Sequence, residues 1–248
     1  MENVLRAAFE AGRPTLSTRL ISTKPYITEL VGVTGLYDYV EFLAEYATFT
    51  QEDLENLARA AELHRMGTMI KVDFENRKYT AQKAVAAGFQ SVLFTDHRTA
   101  AQVADTLSAL RPDTVPDGGA FGFSTRRFQC APPLVPVADH VRRLRRVVCA
   151  FMIEKKEALD NIEEICAVPG VDMVQFGPSD YSMSRGWNAA DHAQELREVE
   201  EYVIRTALEL GVAPRCECDT VEKMTYYRDL GVRHFCVGDE LRVLKAYW

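Results

Sequence analysis

Glu154 ends the apolar run VVCAFMIE (147–154). Asp180 follows the run VDMVQFG (171–177) after a short Pro-Ser step. The two lie about one strand–helix unit apart, so neighbouring strands of one sheet could bring both carboxylates to one point. Carboxylates pushed together resist ionisation unless a cation neutralises them, and the simplest neutraliser with hard oxygen ligands is a divalent metal. Other polar groups end apolar runs in the same way: Arg19, Glu45, Lys71 with Asp73, Asp96 with His97, Glu217 with Asp219, and Asp239. Gly177-Pro178-Ser179 adds a glycine that permits close backbone approach and N–H groups that can face an anion.

Repeated units position these groups. Short apolar runs at 15–21, 38–44, 67–73, 91–96, 147–154, 171–177, 212–218 and 234–239 alternate with amphipathic stretches at 50–66, 79–88, 99–111, 157–170, 191–211 and 220–231. Several stretches open on Thr or Asp, and most end at a glycine such as Gly88, Gly170, Gly211 or Gly231. Strands apolar along their whole length, alternating with helices, predict a parallel sheet covered on both faces. About eight units in a chain of 248 residues predict one closed (β/α)8 TIM barrel spanning 1–248. In that architecture chemistry sits at the C-terminal ends of the strands, where the polar residues above fall. The stretch 112–146 breaks the rhythm. Rich in Pro and Gly, it is a long excursion of the kind that serves active sites.

Composition narrows the partners. The formal charge is −7, from 29 basic and 36 acidic residues, which argues against nucleic acid. The basic cluster HVRRLRR (140–146) has helical spacing and reads as a solvated face. No run approaches the roughly 18 apolar residues of a membrane span, and the opening MENVLRAAFEAG has no apolar core of a signal peptide. A cytoplasmic protein is expected, its six scattered cysteines free. In CECD (216–219), Cys216 and Cys218 share one strand face while Glu217 takes the other, so the group reads as strand cysteines rather than a zinc site. No GxGxxG or GxxxxGK[ST] occurs, so a nucleotide or flavin cofactor is not expected.

MIEKKEALDNIEEICAVPGVDMVQFGPSDYS (152–182) resembles the signature of the HpcH/HpaI aldolase family: an Ile-Glu, a helix containing Glu-Ala-x-x-Asn-Ile, a Pro-Gly-Val-Asp turn, then Gly-Pro-Ser-Asp. The likeness extends over nearly the whole chain, to the early Tyr/Phe-Asp strand and the final Val-Gly strand FCVGDE (235–240). It implies a TIM barrel and a metal-dependent (Mg, Mn or Co) lyase of the aldolase type, acting on a small 2-oxo acid. It implies Glu154 and Asp180 as metal ligands and Gly177, Pro178 and Ser179 as the cradle of the substrate carboxylate. A metal on the keto oxygen acts as a Lewis acid towards a pyruvate-like enolate. Members of the family are commonly hexamers, trimers of dimers, so a homo-oligomer is expected; the ending DELRVLKAYW is short for their terminal helix.

The chain departs from that pattern at its proton-transfer groups. Where the family has Asp-x-Glu-His, this sequence reads Leu43-Ala44-Glu45-Tyr46, and Lys71 stands where the family has an arginine beside the enolate. Tyrosine, which ordinarily titrates near ~10, is a poor base at neutral pH, and lysine lacks the fork of arginine. The expected catalytic set is therefore Lys71, Tyr46 and Glu45, with a metal-bound water as an alternative base. Decarboxylation needs no base at an aldol hydroxyl, so a decarboxylase, a hydrolase or isomerase of a related oxo acid, or a non-catalytic binder stay open beside the aldolase. Arg19, Arg126 (or Arg127) and His97 are candidate substrate contacts, against ion-pairing or packing roles.

Overall fold

The computed structural model describes residues 2–123, 125, 127 and 135–248. Eight parallel strands close into a barrel in sequence order: β1 (Thr15–Leu20), β2 (Tyr39–Leu43), β3 (Gly67–Val72), β4 (Ser91–Phe94), β5 (Val148–Ile153), β6 (Met173–Phe176), β7 (Ala213–Cys218) and β8 (His234–Asp239). All match the apolar runs of the sequence, all but β8 shortened at one or both ends. Helices follow the strands as the amphipathic stretches predict. Thr50 and Asp53 form a complete capping box on the helix Gln51–Leu63, and Thr220 caps Val221–Asp229. The predicted helix over 157–170 is instead two short ones, Lys156–Asp160 and Ile162–Cys166, broken at Asn161.

Side chains alternate between two environments along each strand. One set packs outward against the helices in the large core containing Phe42, Ile70, Val92, Phe94, Phe151, Ile153, Val174 and Phe176. The other points into the barrel. Its lower layer is apolar: Tyr39, Met69, Leu93, Val148, Ala150 and Met173, plugged from below by Leu5 of the helix Val4–Glu10. Register places Glu41 beside Met69, Leu43 beside Lys71, and Met152 beside Gln175. The inward set thus runs from apolar at the bottom to charged at the top.

Between those layers lies a pair that the sequence leaves without a role. Glu41 is paired with Arg215 of β7, and both are fully enclosed. The Arg215 guanidinium also donates to the Tyr39 hydroxyl (2.9 Å), to Ser17 Oγ (3.2 Å) and to the side-chain carbonyl of Gln175. Four acceptors satisfy one buried cation, the condition under which such a group is tolerated.

Of the 112–146 excursion, the described part returns to the barrel as the helix Val137–Arg145. Arg126 lies outside the described residues. Arg127 pairs with Glu62 and donates to the Ala87 carbonyl (2.5 Å). Both partners sit at helix ends that lead into strand beginnings, so this arginine is at the end of the barrel opposite the predicted chemistry. The expectation that Arg127 reaches a substrate is corrected: its charge is committed to a structural ion pair.

Candidate active site at the barrel mouth

A cavity of about 260 Å³ opens at the C-terminal ends of the strands. Lys71 emerges from β3 into it, and the turn after β2 wraps Glu45 and Tyr46 around the ammonium group. Lys71 Nζ lies 2.7 Å from Glu45 Oε2 and donates to the Tyr46 hydroxyl at 2.6 Å. The turn is held by backbone bonds from Glu45 N–H to the Lys71 carbonyl (3.2 Å) and from Tyr46 N–H to the Leu43 carbonyl (3.1 Å). Burial would lower the lysine pKa, but the bonds to Glu45 and Tyr46 outweigh it and hold the ammonium protonated well above its ordinary range. Burial pushes the Tyr46 phenol up despite Lys71. Neither group is a base at neutral pH; both are donors.

Glu154, at the end of β5, faces Asp180 in the first turn of the helix Pro178–Arg185. Glu154 Oε1 accepts the Asp96 amide at 2.8 Å. Its Oε2 faces Gly177, where a Cβ would meet that oxygen at 2.7 Å and Glu154 Cβ at 2.8 Å, so only glycine leaves the carboxylate uncrowded. Asp96 itself is a non-glycine residue in the left-handed region (φ 61°), and that turn aims its amide at Glu154. Lys155 bridges the rim, 2.6 Å from Asp96 and 3.8 Å from Asp180. Neither Asp96 nor Lys155 stood among the residues the sequence proposed for metal or substrate.

These residues fit a divalent cation. Burial pushes the Glu154 carboxyl up to about 7, and the neighbouring Asp96 and Asp180 charges push the same way. The carboxylate is short of water and has two further carboxylates beside it, a setting that a cation would relieve. Glu154 and Asp180 offer the hard oxygen donors that magnesium or manganese take. Among the described residues no group of three or more His, Cys, Asp or Glu converges as a closed cage. A two-carboxylate set leaves the other coordination positions to substrate and water.

The remaining predicted residues divide. Gly177, Pro178 and Ser179 line the cavity. The Gly177 amide is used in a bond to the Ile153 carbonyl (3.1 Å); Pro178 has none, so the first-turn amides of Ser179 and Asp180 are the donors a carboxylate would meet. Arg19 also lines the wall, with its guanidinium engaged by Glu217 and by Asp239 (3.4 Å) and its Nε by the Gly238 carbonyl (3.3 Å). Glu217 in turn accepts from the Gln175 amide at 2.9 Å, joining the mouth to the Arg215 network below. His97 does not reach the cavity. Its Nδ1 donates to the Thr95 carbonyl (2.9 Å), its Nε2 accepts from Thr106 Oγ1 (2.7 Å), and its ring packs among Phe74, Phe94 and Phe151. Burial lowers its pKa to about 4. His97 is a neutral packing residue, and its expected substrate contact is corrected.

The chain belongs to the HpcH/HpaI aldolase/citrate lyase family, whose profile matches residues 21–226. It is 28% identical to a 2-keto-3-deoxy-L-rhamnonate aldolase of Escherichia coli, over 86% of this chain and 78% of that one. It is 26% identical to a hydroxypyruvate/pyruvate aldolase of Delftia acidovorans, over 98% and 88%. Among solved structures it superposes on the citrate synthase SbnG with a TM-score of 0.87 at 19% identity, covering 99% of this chain and 94% of that one. A more distant structural match, protein CitE from Mycobacterium tuberculosis (TM-score 0.58, 14% identity, 95% and 88% covered), was solved with magnesium and acetate.

Proposed function

We propose that this protein is a metal-dependent carbon–carbon lyase of the aldolase type, acting on a 4-hydroxy-2-oxo acid through a pyruvate-like enolate. The observation that carries the reading is the placement of Lys71, clamped by Glu45 and Tyr46, in the same cavity as the Glu154–Asp180 pair. Glu154 and Asp180 would hold magnesium or manganese, which when bound supplies Lewis-acid polarisation of the substrate keto group.

The chain's own residues account for the rest. Ser179 and Asp180 amides at the helix N-terminus bind the substrate carboxylate. On cleavage the C3–C4 bond breaks, its electron pair passes to the C2–C3 bond, and charge collects on the C2 oxygen. The C4 carbon becomes the aldehyde as its hydroxyl proton passes to a solvent water in the open mouth, and the enolate takes a proton from water at C3 to give pyruvate. Lys71 faces the developing oxyanion with a charge fixed by two partners before the substrate arrives; such preorganised donors are worth about 2.7–4 kcal/mol. The Tyr46 oxygen accepts from Lys71 and its hydroxyl lies beside Glu45; turned from Glu45 into the cavity, its hydrogen can meet the oxygen on C4. In the condensation direction Tyr46 stabilises that oxygen as it gathers charge.

Because Tyr46 and Lys71 are both held protonated, a second reading has specific support. Decarboxylation of an oxaloacetate-like acid uses the same enolate and needs no base for a C4 hydroxyl. Pyruvate release by the manganese-loaded protein from oxaloacetate and from a panel of 4-hydroxy-2-oxo acids separates the two. Release from the hydroxy acids supports the first reading, and release from oxaloacetate alone the second. Release from neither, with metal and oxo acid bound, contradicts both.

The same reading includes self-association. The terminal helix Glu240–Tyr247 buries no residue and exposes Leu241, Val243, Leu244, Tyr247 and Trp248, an apolar face suited to another copy of the chain. It also includes a cytoplasmic location, which fits the five buried free thiols among the described residues. No helix among those residues is long and apolar enough to cross a membrane.

A further inference from the structure

Lys155 has no part in the chemistry above, yet it stands beside one of the two carboxylates that would hold the metal. Its ammonium is 2.6 Å from Asp96 Oδ1 and 3.8 Å from Asp180 Oδ1, on a side chain that is almost wholly enclosed. Burial disfavours the charge, but the bond to Asp96 raises the lysine pKa above its ordinary value, so the ammonium persists at neutral pH. Among the described residues Asp180 pairs with no other cation. A divalent ion and this ammonium therefore compete for one carboxylate, and two cations side by side repel. Asp96 sets which way the lysine leans. Its backbone lies in the left-handed region (φ 61°), which Asp and Asn enter more readily than other side chains. From that turn its amide reaches Glu154 Oε1 (2.8 Å) and its carboxylate reaches Lys155. One residue thus touches one carboxylate of the pair and the competitor of the other.

Resting on the metal-dependent reading, we infer that Asp96 is a positioning residue: its carboxylate holds Lys155 back from Asp180, so that the Glu154–Asp180 pair stays open to a divalent cation. The 2.6 Å contact commits the ammonium to Asp96, while 3.8 Å leaves Asp180 at its outer edge. Asp96 also cancels the lysine charge locally, so an ion at the pair meets a balanced neighbour. Without that carboxylate the ammonium turns to Asp180, and a flexible four-carbon stem closes the remaining gap with little movement. With no metal bound, the same lysine offsets part of the charge that Asp96, Asp180 and Glu154 place on one another.

Manganese binding to the full chain, followed by calorimetry with no substrate present, tests this apart from turnover. Asp96→Asn keeps the backbone amide and a side chain that tolerates the left-handed turn; it should bind manganese at least about tenfold more weakly than wild type. Lys155→Met should bind it as tightly as wild type or more so. The double variant Asp96→Asn/Lys155→Met should recover to within about threefold of wild type, a rescue that mere damage to the turn at residue 96 would not show. Unchanged affinity in Asp96→Asn, weaker binding in Lys155→Met, or a double variant as weak as Asp96→Asn overturns the positioning role and leaves the metal reading standing. Failure of the wild type to bind manganese overturns the two together.

Discussion

Two of the barrel's carboxylate–cation pairs are built from the same kinds of side chain and stand in different settings. In the middle of the barrel, Glu41 and Arg215 are closed off, and Tyr39, Ser17 and Gln175 take up the remaining guanidinium donors. At the mouth, Glu45 and Tyr46 hold Lys71 at one side of an open cavity, facing Glu154 and Asp180 across it. The first pair has no room for a ligand. The second lies beside one Glu154 oxygen and the Asp180 carboxylate, which line the open cavity with only Lys155 near Asp180, at 3.8 Å. Under the proposed function, chemistry belongs to the pair whose valences are incomplete, and architecture to the pair whose valences are nearly filled.

That contrast can be broken from either side. Arg215→Met strands Glu41 as an uncompensated buried charge and should cost about 3–5 kcal/mol of stability in denaturant unfolding, whereas the double change with Glu41→Leu should recover most of it. Equal losses in the single and double variants would show that the pair is not the unit.

His97 provides a pH test of the buried side. Its folded pKa, about 4, lies below the roughly 6.5 of an unfolded histidine, so the folded state binds fewer protons. The stability it contributes is complete above about pH 6.5 and is lost as pH falls towards 4, by about 3 kcal/mol in all. His234, also lowered to about 4 by burial and nearby arginines, adds in the same direction. Unfolding free energies measured across that window should decline more gently in His97→Gln, and an unchanged slope would remove His97 from the account.

At the mouth the effects should fall on ligands and leave stability nearly untouched. Glu154→Gln should weaken manganese binding by at least about tenfold in calorimetry, since a neutral amide replaces one of two charged donors. Tyr46→Phe should be the mildest: decarboxylation of oxaloacetate within about threefold of wild type, with any aldol cleavage reduced more, because only the latter uses an oxygen on C4. A uniform loss on both substrates would assign Tyr46 to holding Lys71 instead.

Much of this was legible in the sequence. Apolar runs of strand length alternating with capped helices defined the barrel, and the strand-end rule led to Glu45, Lys71, Glu154 and Asp180. Long-range pairing was not legible. Glu41 and Arg215 are 174 residues apart, and nothing local marks either as the other's partner. His97 was misplaced because β4 ends at Phe94 and the left-handed turn at Asp96 directs the ring back between the sheet and the helix Ala100–Ser108, whose Thr106 it meets. A positive φ at an aspartate has no sequence signature. Lys155 was overlooked because a Lys-Lys pair after a strand reads as solvated surface; only Lys156 behaves that way, pairing with Asp160 one turn along its exposed helix.

The central claim is that Lys71, fixed by Glu45 and Tyr46 opposite the Glu154–Asp180 pair, stabilises the enolate. The most direct measurement is the rate of pyruvate formation from oxaloacetate by manganese-loaded wild type and Lys71→Met, each with metal occupancy confirmed. The account predicts a fall of about 10²–10³-fold in kcat for Lys71→Met, with unfolding stability held within about 1 kcal/mol. An unchanged kcat in a folded, metal-loaded Lys71→Met variant would contradict it.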